Sequence, residues 1–143
     1  MREIEFRAWL KDEEKMVKAE RLGLFEDVEK RFVIWKVKPY EHSFKYLKDV
    51  ELMQYTGLKD KNGVKIFEGD IVNNGESENL IVLWSDKYQS FIIDEKIGVY
   101  TEQNDDRLYD CDDIEEYEPF KYKCGSYEVI GNIYKNPELL EKK

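Results

Sequence analysis

Histidine occurs once in this chain of 143 residues, as His42, and cysteine only twice, as Cys111 and Cys124. That is too little for a structural zinc site, because the cysteines form no CxxC pair and one imidazole cannot complete a four-ligand set. Two reduced thiols are the expectation, since disulfides are rare in the cytosol. Nucleophilic catalysis needs a base for a serine or cysteine, and the single imidazole stands beside Ser43. Adjacent residues of an extended segment point to opposite sides, and no GxSxG elbow occurs, so no catalytic residue is expected. No GxGxxG or GxxxxGK[ST] cradle is present for a nucleotide phosphate, and no cofactor is expected. Long apolar runs are missing as well. The longest, such as residues 80–84, fall far short of the roughly 20 needed to cross a bilayer, and residues 1–15 alternate charge with single apolar residues instead of forming an export signal. The expectation is a cytoplasmic protein with no membrane partner. No internal repeat, low-complexity tract or Gly/Ser/Pro linker divides the chain, which predicts a single domain over residues 1–143.

Aromatic residues are abundant. Ten Tyr, seven Phe and three Trp accompany a charged fraction of 38%, and that aromatic content argues for a folded chain over a disordered one. Lys and Arg total 23 against 32 Asp and Glu, a net charge of −9. A general attraction to phosphates therefore cannot hold this protein on duplex nucleic acid, and no direct nucleic-acid partner is expected.

Ile4, Phe6 and Ala8 alternate with Glu5 and Arg7, the period of a strand with one buried face. Between residues 18 and 32, Leu22, Phe25, Val28 and Phe32 recur at helical spacing, which predicts an amphipathic helix weakened by Gly23. Residues 32–37 are β-branched and aromatic and stop at Pro39, as a strand would, while residues 39–48 fit no single element. From residue 50 to 72 the pattern reads strand, turn, strand, turn, strand, with Gly57, Asn62-Gly63 and Gly69 as the turn residues. Asn62-Gly63 suits a type I′ turn, which needs positive φ at both central positions. Residues 80–84, 90–93, 98–101 and 127–133 predict further strands, and Asn136-Pro137-Glu138 predicts the start of a short terminal helix. The predicted architecture is mainly β with minor helices: a small twisted SH3-like barrel of short antiparallel strands. Residues 1–48 form its strand-and-helix entry, 49–134 its β-rich core and 135–143 the terminal helix.

Two features could carry function. Residues 102–118 hold nine acids, Glu102, Asp105, Asp106, Asp110, Asp112, Asp113, Glu115, Glu116 and Glu118, against Arg107 alone. A calcium loop needs a glycine inside such a run and none stands there, so a solvated acidic face without metal is expected. Asp105, Asp106, Asp112, Asp113, Glu115 and Glu116 are candidates for a partner surface. The second feature is the aromatic surplus: Trp9, Trp35, Trp84 and the tyrosines exceed what a small barrel readily hides, and exposed aromatics beside polar groups suit protein recognition.

Three segments carry a family resemblance: residues 4–9 with Lys15-Met16, residues 52–72 (LMQYTGLKDKNGVKIFEGDIV) and residues 128–140 (EVIGNIYKNPELL). Together they resemble the YopX family, small proteins of bacteriophages and prophages of Gram-positive bacteria. Leu10 stands where an aspartate is usual, and Lys135 where an acid is more common. The resemblance implies a phage setting and a tendency to self-associate, and it assigns no catalytic residue. The leading expectation is a non-enzymatic accessory protein that binds a host or phage protein, as a homo-oligomer. One alternative is an acidic DNA-mimic decoy of a host nucleic-acid-binding protein; another is a cation-dependent enzyme using the 102–118 acids.

Overall fold

The computed structural model describes residues 3–75, 78–86, 89–94 and 126–141. They form a mainly β, antiparallel structure in which the helical elements are single 3-10 turns. The described residues divide into two compact units, Met1–Gly57 and Leu58–Lys143.

The first unit contains two sheets. In one, β1 (Phe6–Leu10) lies between β2 (Lys15–Lys18) and β6 (Val50–Lys59), with Ala8 opposite both Val17 and Leu52. The other has the order β3 (Arg21–Gly23), β4 (Phe32–Lys38), β5 (Glu41–Tyr46). Ala8, Leu10, Val17, Val33, Trp35 and Val50 form a buried apolar cluster within this unit. Strand alternation explains the membership: Val33 and Trp35 point to one side of β4 and are buried, while Phe32 and Ile34 point to the other.

The predicted helix over residues 18–32 does not form. The segment instead holds the end of β2, then β3, then a 3-10 turn at Val28–Lys30 capped by the Asp27 carboxylate. Phe25 and Val28 are more than half exposed, so the 3.6-residue spacing never became a buried stripe. Pairing decides the outcome: Gly23 lies opposite Phe32, and a Cβ on Gly23 would stand 2.3 Å from the Phe32 ring. The ring fills the space left by the missing side chain, which a helix would not allow. Residues 39–48, ambiguous in sequence, form the turn at Pro39-Tyr40, β5 and a 3-10 turn at Leu47–Asp49.

In the second unit the end of β6 pairs with β7 (Lys65–Phe67), and β8 (Asp70–Asn73), β9 (Leu80–Ser85), β10 (Ser90–Asp94) and β11 (Glu128–Asn132) form a sheet of order β10-β9-β8-β11. Ile66, Val72, Leu80, Val82 and Tyr127 make its buried cluster. Gly63 and Gly69 lie in the loops flanking β7, both at positive φ. Gly57 does not mark a turn: it sits inside the continuous β6 at φ 85°, an irregularity within a strand rather than a break between two. The Asn62-Gly63 turn is placed as predicted but is of another type. Only Gly63 has positive φ, the Gly63 N–H donates to the Asp60 carbonyl at 3.0 Å, and the Asp60 N–H donates to the Val64 carbonyl at 2.8 Å. That is a longer loop closed by a glycine bulge, and it spares Asn62 the left-handed region. At the end of the chain, a four-residue 3-10 turn at Pro137–Leu140 stands where a short helix was predicted, and Asn136 gives it no side-chain cap. The predicted strand at 98–101, Cys111 and Cys124 lie outside the described residues. No helix among the described residues is long and apolar enough to cross a membrane.

Candidate functional site: an aromatic sheet face

The polar residues that stand out in the sequence motifs are consumed by the backbone. Asp60 is buried, with 6% of its surface exposed. Its Oδ1 accepts from the N–H groups of Asn62 (2.8 Å) and Val64 (2.9 Å), and its Oδ2 accepts from the Val129 N–H (3.0 Å) of β11. Burial pushes this carboxyl up, yet the donors from Val129, Val64 and Asn62, with the Lys61 charge, outweigh it and hold the group below the usual carboxylate range. Lys61 adds an ion pair to Glu128 at 3.3 Å. Asp70, 1% exposed, accepts from the Phe67 N–H at 2.8 Å and so closes the β7–β8 turn. Asn132 Oδ1 accepts from the N–H groups of Tyr134 and Lys135, and Gly131 leaves room for Asn136, whose Oδ1 would stand 2.6 Å from a Cβ there. Each group is an acceptor that fastens a loop to a strand.

The exposed aromatics have a different placement from the sequence expectation. Trp9 and Trp35 are core residues, at 9% and 5% exposure. Trp84 is surface-lying, with its ring 5.0 Å from that of Phe91 and its indole N–H donating to Asp86 at 2.9 Å. The aromatic surface lies instead on the β3-β4-β5 sheet. Across β4 and β5, Phe32 faces Tyr46, Ile34 faces Phe44 and Lys36 faces His42, and by alternation all six share the side opposite Val33 and Trp35. Phe25, Phe32, Phe44 and Tyr46 follow one another with ring centroids 5.9, 6.4 and 5.9 Å apart, the last two contacts edge-on. Phe25, Phe44 and Tyr46 are 52%, 58% and 43% exposed, although rings this size usually hide in a core.

Charges rim this apolar strip. The Lys48 ammonium lies 5.9 Å from the Tyr46 ring centroid and pairs with Glu29 at 2.8 Å, a bond that raises its pKa above the usual lysine range. His42 Nε2 meets Glu20 at 2.8 Å, while Lys45, opposite Val33 and so on the other side of the sheet, pairs with Asp12, whose carboxyl it holds below its usual range. A groove of about 570 Å³ runs along β5, lined by Lys11, Asp12, Phe44, Lys45, Tyr46, Lys48 and Asp49. Among the described residues no group of three or more His, Cys, Asp or Glu side chains is placed to hold a metal ion. The candidate acids Asp105, Asp106, Asp112, Asp113, Glu115 and Glu116 lie outside the described residues.

The model of the YopX protein family matches residues 5–141, nearly the whole chain. The chain belongs to the YopX family. Protein EF1440 from Enterococcus faecalis, known from a crystal structure, is similar at 29% identity and a TM-score of 0.61, covering 99% of this chain and 100% of its own. No curated protein matches. Within this YopX chain the longest motif, residues 52–72, spans most of β6, the Asp60 loop, β7 and the Asp70 turn, so its polar residues Asp60 and Asp70 have a structural explanation. Nothing in the sequence pointed to Phe25, Phe44 and Tyr46 as a group. The β-branched and aromatic composition of residues 32–37 predicts β4, but its partners on β5 lie in residues 39–48, which fit no single element in sequence.

Proposed function

We propose that this protein is a non-enzymatic, phage- or prophage-encoded accessory module that works by binding protein, including further copies of itself, through the outer face of the β3-β4-β5 sheet. The observation that carries the proposal is the row Phe25, Phe32, Phe44, Tyr46, a contiguous apolar strip rimmed by charge in which Phe25, Phe44 and Tyr46 are exposed and Phe32 is half-buried. Such strips mark protein interaction sites on soluble domains, and covering a half-exposed aromatic ring stabilises a complex by about 1–2 kcal/mol. The commitment of Asp60, Asp70 and Asn132 to backbone donors supports a binding role over a catalytic one. The cytoplasmic setting and the assignment of the strands to a small SH3-like barrel belong to the same proposal. Sedimentation equilibrium across a wide concentration range tests it. Mass above the 17.2 kDa monomer, reduced by Phe44→Ser, is expected; the same mass in wild type and variant would count against this face.

A further inference from the structure

Among the described residues β5 is the edge strand of its sheet, beside the aromatic face, and its backbone polarity follows from the register. The Leu47 N–H donates to the Arg31 carbonyl at 2.9 Å, which fixes the hydrogen-bonding phase of the β4–β5 pair. In that phase Val33 with Lys45 and Trp35 with Ser43 exchange hydrogen bonds, while Phe32–Tyr46, Ile34–Phe44 and Lys36–His42 are the close, non-bonded pairs. The N–H and C=O groups of His42, Phe44 and Tyr46 therefore point away from β4, at the edge of the sheet. Among the described residues a groove lies beside Phe44, Lys45 and Tyr46 of that edge.

We propose that this edge is completed by the β5 of a second copy, antiparallel, on a two-fold axis through Ser43. The inference rests on the self-binding reading above and names the surface and register. An isologous strand pair must place outward-pointing residues opposite outward-pointing residues, which admits axes through single residues of β5 but not axes between neighbouring residues. An axis at Lys45 would set two ammonium groups face to face, and an axis at His42 would bring Pro39 opposite Lys45. An axis at Phe44 would set Ser43 opposite Lys45 and leave Glu41 beyond the end of the partner strand, without a charged partner. An axis at Ser43 puts Glu41 of each copy opposite Lys45 of the other and His42 opposite Phe44, with about four new backbone hydrogen bonds from the two His42–Phe44 pairs. The aromatic strips of the two copies then run on as one surface, so edge and face cooperate. Lys45 already lies beside Asp12 and Glu13, so the incoming Glu41 shares an ammonium that two carboxylates approach, and the backbone bonds between the strands carry more of the association than this ion pair.

At this axis the two Ser43 residues form a close non-bonded pair with Cα atoms about 4.5 Å apart, a separation a disulfide can span. The test is the S43C variant in a Cys111→Ser, Cys124→Ser background, oxidised gently and compared with F44C and K45C in the same background. Rapid, near-complete cross-linking of S43C into a covalent dimer that melts no lower than the reduced protein, with at least tenfold slower cross-linking of K45C, is expected. Equal or faster cross-linking at K45C or F44C overturns the register. A protein that sediments as a dimer while S43C stays uncrosslinked overturns the edge and leaves self-association through another surface. A monomer at all concentrations overturns both readings.

Discussion

Asp60 is the residue whose chemistry is most fully accounted for. Three backbone N–H groups converge on one buried carboxylate, and truncating it would leave all three without a partner. Asp60→Ala is expected to cost about 2–4 kcal/mol, measured by urea denaturation. The folded-state pKa is lowered, so the carboxylate's contribution is fully present above the unfolded value of about 3.9 and is lost as pH falls from there through the lower folded value. Stability of the wild type should decline in that window, and Asp60→Asn, which does not titrate, should show a flatter decline. Two glycines give a contrast in mechanism. At Gly63, φ is +79° and nothing lies within 4 Å of a built Cβ, so Gly63→Val should cost about 1 kcal/mol from backbone strain alone. At Gly131 the obstacle is the Asn136 amide, so Gly131→Ala should displace that side chain and also weaken its 3.3 Å bond from the Asn132 N–H. Gly63→Ala should cost less than Gly63→Val, because the open space leaves only backbone strain and a β-branched side chain is the more strained of the two at positive φ. Gly63 was legible as a turn residue because turn chemistry is local, whereas Gly131 lay inside a predicted strand; the identity of Asp60's third donor was not legible, because Val129 lies 69 positions away.

At the scale of the element, the strands with strong alternation or β-branched runs were readable: β4, β8, β9, β10 and β11 all lie close to where the sequence places them. The failure at residues 18–32 is instructive. Helical spacing of Leu22, Phe25 and Val28 is real, but a helix needs an apolar surface to receive that stripe, and here Phe25 and Val28 are exposed while the backbone of β3 finds β4. Cross-strand packing of the Phe32 ring over Gly23 holds the register. Gly23→Ala should therefore destabilise the first unit by about 1–3 kcal/mol, and Phe32→Leu in the same chain should recover part of the loss. Thermal melts of the single and double variants measure the coupling; purely additive effects would mean that the ring and the glycine do not share a space. The aromatic face is not legible in the sequence for a related reason, since Phe44 and Tyr46 become neighbours of Phe32 and Ile34 only once the Pro39-Tyr40 turn folds β5 back.

For the whole molecule, the acidic balance and the missing nucleotide, zinc and triad motifs make binding the leading expectation from sequence, and membership of the YopX family agrees with the motifs without adding a biochemical activity. The central claim is that exposed aromatics on one sheet face exist to meet protein. Phe44→Ser combined with Tyr46→Ser removes the two most exposed rings of β5 while leaving the buried side of that sheet, Val33 and Trp35, untouched. Sedimentation equilibrium of this double variant beside the wild type is the most direct measurement. The account predicts a wild-type mass that rises with concentration above 17.2 kDa and a variant that stays at the monomer mass with a similar far-ultraviolet circular dichroism spectrum. A folded variant that associates as strongly as the wild type would contradict it.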